Sequence, residues 1–251
     1  MSQLIDLQQE QLAENISEVR RRIAHAAEKV GRDPTEITLV AVSKTRPVEL
    51  IEIAYNLGIT DFGENRVQEA LPKIAQMRPQ SSQALRWHLI GHLQSNKVSK
   101  VVEPFTWVQS VDSVHLAQLL HRHAEELGKR LPILLEVNVA GEESKAGIAP
   151  GDVLELARQV VALSALEVRG LMTVAPLVPD PEEVRPVFRG LRRLRDRLRD
   201  EVPASSWPDL SMGMTDDYSV AIEEGATIVR VGRGIFGQRP TISFPHEQKK
   251  P

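Results

Sequence analysis

Apolar positions along this chain alternate between two spacings. Short unbroken runs of aliphatic and β-branched residues recur eight times, and between them lie segments whose apolar residues are three or four positions apart. An unbroken apolar run is typical of a strand buried on both faces, as in a parallel sheet, whereas the wider spacing is typical of an amphipathic helix. The pattern predicts strands and helices in regular alternation.

This alternation predicts an α/β fold, a single (β/α)8 TIM barrel over residues 1–251, because no long polar linker divides the chain. An additional N-terminal helix over residues 6–30, closed by Gly31, is expected to cover the barrel from outside. The polar segment 245–251 is expected to be disordered. The predicted strands are residues 37–44, 58–63, 87–91, 106–111, 131–140, 168–173, 210–214 and 227–232. The predicted barrel helices are residues 48–57, one opened by residues 64–65, and then 112–128, 150–163, 181–199 and 216–224.

Composition narrows the class of protein. The length of 251 residues suits one barrel, which typically has about 250. A formal net charge of −3 argues against a general affinity for nucleic acid or anionic membranes. The chain has no cysteine, which excludes disulfides and thiolate metal sites. A polar N-terminus and the lack of a long apolar run predict a cytoplasmic protein outside the membrane.

A lysine, Lys44, ends the first predicted strand. Burial at a barrel mouth lowers the pKa of an ammonium, and a neutral amine there is a nucleophile for an aldehyde. A lysine just past a strand is more commonly a solvated end-cap. The residue type alone therefore leaves both interpretations open.

Two glycine-rich loops follow the seventh and eighth predicted strands, where barrels commonly bind phosphate. Glycine lets backbone N–H groups approach phosphate oxygens, although the same residues also serve ordinary tight turns. The candidate phosphate ligands are Ser211, Gly213, Met214, Thr215, Gly232 and Arg233. Strands one and eight are neighbours in a closed barrel, so an aldehyde that carries a phosphate, such as pyridoxal phosphate (PLP), is able to bridge Lys44 and these loops.

Three further side chains are candidates on the same rim. Arg230 lies inside the proposed site, and arginine is one of two usual partners of the pyridine nitrogen of PLP; the alternative is an ion pair with a carboxylate. Asn65 is a candidate for the phenolic oxygen of PLP or for a helix N-cap. Lys145, after the fifth strand, is either a second amine for cofactor transfer or an exposed loop lysine.

Other polar residues favour structural roles. His88 and His92 are poorly spaced on a strand for a metal pair, so we predict no metal site. Asp112 is expected to cap one helix, and Asp216 and Asp217 another. In the basic segment 189–199, the leucines predict a core face and the arginines a solvated outer face, not a nucleic-acid patch. Pro72 is expected to kink its helix.

Seven motifs in this order resemble the pyridoxal phosphate homeostasis protein family, the cytoplasmic relative of the alanine racemase N-terminal barrel. The resemblance covers the chain from about residue 10 to residue 237. The motifs are AVSKTRP (41–47), FGENRVQEA (62–70), WHLIGHLQSNK (87–97), NVAGEESKAGI (138–148), RGLMTVAP (169–176), SMGMTDDYSVAIEEGAT (211–227) and VRVGRGIFG (229–237).

The resemblance implies a barrel that carries PLP as a Schiff base on Lys44. It implies that the loop 211–215 and the backbone of Gly232 and Arg233 hold the phosphate, and that Arg230 faces the pyridine nitrogen. Members of the family have no established enzymatic activity and are thought to buffer or deliver PLP, which affects amino-acid and keto-acid pools. The expected partners are PLP and PLP-requiring apo-enzymes, and the expected state is a monomer or weak dimer.

Two enzymatic alternatives remain. A PLP-dependent racemase needs an acid/base on each face of the substrate α-carbon, and the only tyrosines of this chain are Tyr55 and Tyr218, both expected to be packing or surface residues. A Schiff-base aldolase that uses Lys44 without a cofactor has no support beyond the fold. The sequence therefore favours a PLP carrier over an enzyme.

Overall fold

Eight parallel strands close into a barrel in which each strand is paired with its neighbours in chain order, and β1 is paired with β8. The strands are β1 Thr38–Val42, β2 Asp61–Glu64, β3 Arg86–Leu89, β4 Trp107–Val111, β5 Leu131–Glu136, β6 Leu166–Met172, β7 Asp209–Ser211 and β8 Ile228–Val231. The structure is a computed structural model that describes residues 2–77, 84–142 and 145–238, with side chains from residue 7. It confirms the predicted barrel, whereas the segment 245–251 lies outside the described residues.

Helices separate most of the strands and surround the barrel. The α-helices are α1 Ser2–Glu28, α2 Val48–Asn56, α3 Val67–Gln76, α4 Val114–Glu126, α5 Val153–Val160, α6 Arg185–Glu201, α7 Tyr218–Glu223 and α8 Arg233–Phe236. Short 3-10 helices cover Pro34–Glu36, Ser95–Lys100 and Pro181–Val184. Among the described residues, none of the helices combines the length and the apolar character that a membrane span requires.

The additional N-terminal helix α1 packs on the outside of the barrel against α7 and α8. Its buried side chains recur at the predicted spacing: Leu12, Ile16, Val19, Ile23, Ala26 and Ala27. Gly31 has φ +69° and so provides the left-handed residue that ends the helix. Val30, which the periodicity placed in the helix, lies beyond its end and is exposed.

Several element boundaries differ from the predicted ones for local reasons. Ser113, not Asp112, caps α4, because the Ser113 hydroxyl accepts a hydrogen bond from the Leu116 N–H. Strand β5 ends at Glu136, since the chain turns at Asn138, whose side chain accepts a hydrogen bond from the Gly141 N–H. Hydrogen-bonding side chains at such turns end regular structure early.

The barrel interior contains a small apolar cluster and several buried polar side chains. Val40, Leu134, Met172 and Ile228 form a buried cluster of their own, separate from the large core between strands and helices. The other buried side chains of the strands include polar and charged groups: Asp61, Glu64, His88, Gln109, Glu136, Ser211 and Arg230. Buried polar groups cost free energy unless they are hydrogen-bonded, so their partners are informative about function.

Candidate functional site

A cavity of about 220 Å³ lies at the carboxyl ends of β1, β7 and β8 and is flanked by the loop after β6. Of the predicted site residues, it is lined by Lys44, Met214, Thr215, Arg230, Gly232 and Arg233. The loop after β6 contributes Pro176, Leu177 and Val178, and Leu177 is 82% exposed. The cavity therefore joins a lysine, an arginine and the two glycine-rich loops.

Lys44 is half-buried at this cavity, two residues after Val42, the last residue of β1. The next residue, Thr45, has φ +62°, in the left-handed region that non-glycine residues rarely adopt. Such conformations concentrate at functional sites, where the surrounding structure holds them in place. The turn sends the chain away from the barrel axis toward α2 and leaves Lys44 at the mouth.

The loop after β7 and the start of α8 form another part of the cavity wall. Arg233 makes an ion pair with Asp216, which joins the two loops. The Gly234 N–H donates to the Thr215 hydroxyl at 3.4 Å. Asp217 is the N-cap residue of α7, as predicted, whereas Asp216 is not; the Asp217 carboxylate accepts a hydrogen bond from the Met214 N–H and makes none to the helix.

Gly213 and Ser211 do not line the cavity. Gly213 has φ +92°, and a Cβ there would lie 2.6 Å from the Ala221 Cβ, so this glycine is needed for the close packing of α7. Ser211 is fully buried below the mouth. Their roles toward a phosphate remain predictions.

Arg230 is the buried end of the site, with 3% of its surface exposed. Its Nη1 donates to the Ser211 hydroxyl at 2.6 Å and its Nη2 to the Thr173 carbonyl at 2.8 Å. Burial lowers the pKa of Arg230 to about 10, which still leaves it a cation at neutral pH. The arginine is therefore held by neutral acceptors, not by the carboxylate of the alternative interpretation.

Hydrogen bonds continue from Ser211 across the barrel interior. The Ser211 hydroxyl donates to Gln109 Oε1 at 2.7 Å, and Gln109 Nε2 lies 2.9 Å from His88 Nδ1. The amide nitrogen can only donate, so Nδ1 of His88 accepts and its Nε2–H donates to Asp61 at 2.9 Å. This chain of four side chains leads away from Arg230, and every bond in it has the same direction.

The groups at the far end of this chain have defined charges. Burial lowers the pKa of His88, which is thus neutral. Burial raises the pKa of Asp61, but hydrogen bonds from His88 and Arg86 outweigh it and hold that pKa at about 2. His92, by contrast, is exposed on the rim, 3.5 Å from Asp112. The two histidines therefore occupy different environments.

Glu136 Oε2 and Asn65 Oδ1 are buried atoms with no hydrogen-bond partner among the described residues, and neither residue is part of the lining of the Lys44 cavity. Burial, and then repulsion by Asp112, raises the pKa of Glu136 to about 7 in spite of the nearby Arg230. Asn65 does not cap α3, whose N-cap is Arg66. Unsatisfied buried polar atoms are rare in proteins, so both mark a place where a ligand or water would find a polar contact.

Lys145 follows β5, as predicted, but it is absent from the lining of the Lys44 cavity. Its Nζ lies 3.9 Å from Glu142, and its carbonyl accepts a hydrogen bond from Asn138 at 3.4 Å. Any part it takes in cofactor transfer remains a prediction.

Sequence reasoning missed Gln109, Glu136 and also Lys73, whose ammonium donates to the Ser43 carbonyl beside Lys44. A signal for the first two was present, because each is a polar residue inside an otherwise apolar predicted strand. Lys73 had no such signal, since it lies on a helix whose exposed positions are also polar.

Comparison with known proteins agrees with the fold. The family described as "Alanine racemase, N-terminal domain" matches residues 7–240. The pyridoxal phosphate homeostasis protein of Aquifex aeolicus is 44% identical over 226 residues, which cover 90% of this chain and 97% of that protein. The protein of the same name from Escherichia coli K12 is 40% identical over 230 residues, 91% of this chain and 97% of that protein.

Solved structures extend this similarity. PipY of Synechococcus elongatus, with PLP bound, has a TM-score of 0.79 and 39% identity and covers 90% of this chain and 100% of its own. An alanine racemase of Clostridium difficile has a TM-score of 0.68 at 16% identity, over 93% of this chain and 58% of its own, and this likeness concerns the fold alone.

Proposed function

Since the chain belongs to the pyridoxal phosphate homeostasis protein family, we propose that it binds PLP as a Schiff base on Lys44 and acts as a carrier that holds and exchanges the cofactor. The observation that carries this proposal is the single cavity shared by Lys44, Arg230 and the loops after β7 and β8. One small volume thereby contains an amine, a cation and glycine-rich backbone, which match the aldehyde, pyridine ring and phosphate of PLP.

The residues fit the cofactor in two further respects. Asn65, which is outside the lining of the cavity, has a buried amide oxygen with no partner among the described residues, and this oxygen would accept a hydrogen bond from a hydroxyl substituent of the ring. Thr215 and Arg233 supply a hydroxyl and a guanidinium at the end of the cavity where the glycine-rich loops meet. Donors of these kinds are what a phosphate dianion requires.

Each group has a distinct task in this proposal. Lys44 attaches the cofactor, Thr215 with Gly232 and Arg233 holds its phosphate, and Arg230 faces its pyridine nitrogen. When bound, PLP supplies an aldehyde carbon that condenses with amines and a ring that withdraws electrons. Arg230 cannot give up its proton readily, so it leaves the pyridine nitrogen unprotonated and the ring a weak electron sink. A weak electron sink suits storage of the cofactor better than chemistry on an amino acid.

The racemase alternative has less support. It needs a second acid/base opposite Lys44, and neither tyrosine lines the cavity. Tyr55 is 4% exposed in the core. Tyr218 is 1% exposed, with the Arg22 guanidinium 4.9 Å from the centre of its ring. We therefore infer buffering or delivery of PLP, with effects on amino-acid and keto-acid pools and PLP-requiring apo-enzymes as the recipients.

The test is the visible absorption spectrum of the purified protein after incubation with PLP, recorded beside Lys44→Ala and Lys145→Ala. We expect a Schiff-base band in the wild type and in Lys145→Ala, and none in Lys44→Ala, whose far-UV circular dichroism stays that of a folded barrel. A band of equal strength in Lys44→Ala would place the cofactor on another lysine. No band in any protein would remove the PLP proposal and leave the cofactor-free aldolase.

A further inference from the structure

The peptide groups on both sides of Lys44 are held by side chains from outside the cavity. On one side, the Ser43 carbonyl accepts a hydrogen bond from Lys73 Nζ at 2.9 Å. On the other side, the Thr45 N–H donates to Glu69 Oε1. The backbone of the candidate Schiff-base lysine is thus fixed before and after the residue itself.

Lys73 is the centre of this arrangement. Its ammonium, on a side chain that is 11% exposed, also donates to Glu64 Oε1 at 2.9 Å and to Glu69 Oε1 at 2.7 Å. An ammonium has three protons, and three acceptors take them. Glu64 in turn accepts the Ser43 hydroxyl at 2.7 Å, so the carboxylates and the ammonium form one connected group.

This group contacts the strained turn that follows Lys44. Thr45 has φ +62°, an unfavourable backbone conformation for a β-branched residue, and Glu69 binds its N–H. Since Glu69 is itself bound to Lys73, loss of the Lys73 ammonium frees Glu69 and removes the contact on Ser43 at the same time. The direction in which the Lys44 side chain leaves the backbone depends on both contacts.

We propose that Lys73 is a positioning residue for Lys44: together with Glu64 and Glu69 it clamps the peptide groups on either side of Lys44 and thereby aims the amine into the cavity. The proposal rests on the proposed function, since it concerns the reaction of Lys44 with PLP. An ion pair that only joined α3 to the barrel would need no contact with the backbone at Lys44. The clamp makes two such contacts, one before Lys44 and one after it.

A matched control exists at a distance from the site. Lys129 Nζ also donates to backbone carbonyls, those of Val102 and Glu103 at 2.7 Å, and it belongs to the loop that follows α4. Lys129→Met therefore removes the same kind of interaction without touching the Lys44 turn. The test variants are Lys73→Met, which keeps an unbranched side chain close to the stem of lysine but removes the ammonium, and Glu69→Gln, which keeps an acceptor for the Thr45 N–H but loses the charge that binds Lys73.

The experiment mixes each protein with PLP, traps the Schiff base with borohydride at timed intervals and measures the modified Lys44 peptide by mass spectrometry. We expect Lys73→Met to react about tenfold more slowly, because a small misplacement of a reacting group costs rate steeply. Glu69→Gln should be slowed less, and Lys129→Met should react like the wild type. Affinity for pyridoxine phosphate, which lacks the aldehyde, should be unchanged in all of them, since the phosphate and ring contacts remain.

The outcomes separate this inference from the function on which it rests. A wild-type protein that is not modified at Lys44 would remove the proposed function. Normal modification in both the wild type and Lys73→Met would overturn the clamp alone, and so would a fall in pyridoxine phosphate affinity that matches the fall in rate. If Lys73→Met does not fold, Glu69→Gln decides: a slower reaction supports the clamp and a wild-type rate overturns it.

Discussion

Two buried glutamates lie near arginines, one on the outer face of the barrel and one inside it. Their surroundings shift the pKa of the two glutamates in opposite directions. Outside, Glu224 is surrounded by three arginines of α6: Arg185 at 3.3 Å, Arg189 at 2.8 Å and Arg192 at 3.1 Å. Burial raises the pKa of Glu224, but hydrogen bonds from Arg189 and Arg185 outweigh it and lower that pKa overall. This glutamate is ionised and well partnered.

Inside the barrel, Glu136 has one arginine nearby, Arg230, whose charge lowers the pKa of Glu136 less than burial raises it. Burial raises its pKa to about 7, and its Oε2 has no hydrogen-bond partner among the described residues. Arg230 does not compensate, because its donors are directed to Ser211 and to the Thr173 carbonyl. Glutamate and arginine thus form a fully paired group on the outer face, whereas inside the barrel the glutamate keeps an oxygen without a hydrogen-bond partner.

The difference indicates which group serves stability and which serves a ligand. Strongly perturbed ionisable groups collect at functional sites, where protein contacts are arranged for a bound molecule and not for the empty fold. The outer cluster is complete with protein atoms alone. In the inner group, Arg230 lines the cavity that contains Lys44, whereas Glu136 does not. We expect binding at Arg230 to change the surroundings of the Glu136 oxygen that has no partner.

The largest expected effect is a difference in the free energy of unfolding between variants of the inner Arg230 and the outer Arg189. Arg230→Met removes the buried donors to the Ser211 hydroxyl and the Thr173 carbonyl in the barrel interior, and we expect it to lower the free energy of unfolding by about 3 kcal/mol. Arg189→Met should cost clearly less, because Glu224 keeps two other arginines. Urea unfolding of both variants without PLP measures the difference. Equal losses of unfolding free energy would mean that the hydrogen bonds of the interior Arg230 stabilise the fold no more than the surface ion pair of Arg189 does.

A second expected effect is a pH dependence carried by Glu136. Its folded-state pKa of about 7 lies above the ordinary pKa of a glutamate, so the folded protein binds the proton more tightly than the unfolded chain does. Stability from this group is therefore present at low pH and is lost as the pH rises from about 5 through 7, by up to about 3 kcal/mol. Glu136→Gln should remove that loss. Urea unfolding at several pH values tests it, and identical pH slopes for the variant and the wild type would contradict the assignment.

The sequence could predict the parts of this comparison that depend on position along a strand. Lys44 and Arg230 lie at the ends of apolar runs, and in a parallel barrel those ends meet at one rim. The sequence could therefore predict that the two side chains lie near each other at that rim. The barrel itself followed from the repeated pattern of apolar positions. Interactions between elements were not predictable, because they depend on which side chains face each other in space.

Lys73 and Gly213 illustrate that limit. Lys73 appears in the sequence as one more polar position of an amphipathic helix, and only the folded chain brings its ammonium to the Ser43 carbonyl. Gly213 was predicted as a residue that lets phosphate approach, yet a Cβ there would meet α7 at Ala221. A glycine has the same appearance in the sequence whether a ligand or a neighbouring helix requires it.

The smallest expected effect comes from the outer cluster. The pKa of Glu224 is lowered in the folded protein, so its contribution to stability is present above the pKa of the unfolded chain and is lost as the pH falls through the folded-state pKa. Because the arginines reach solvent, which screens such pairs, we expect Glu224→Gln to cost only about 1 kcal/mol at neutral pH. The cost should shrink on acidification, opposite in direction to the effect of Glu136. Urea unfolding at neutral and acidic pH measures it, and a cost that grew toward acid pH would mean that the two glutamates do not differ as their surroundings indicate.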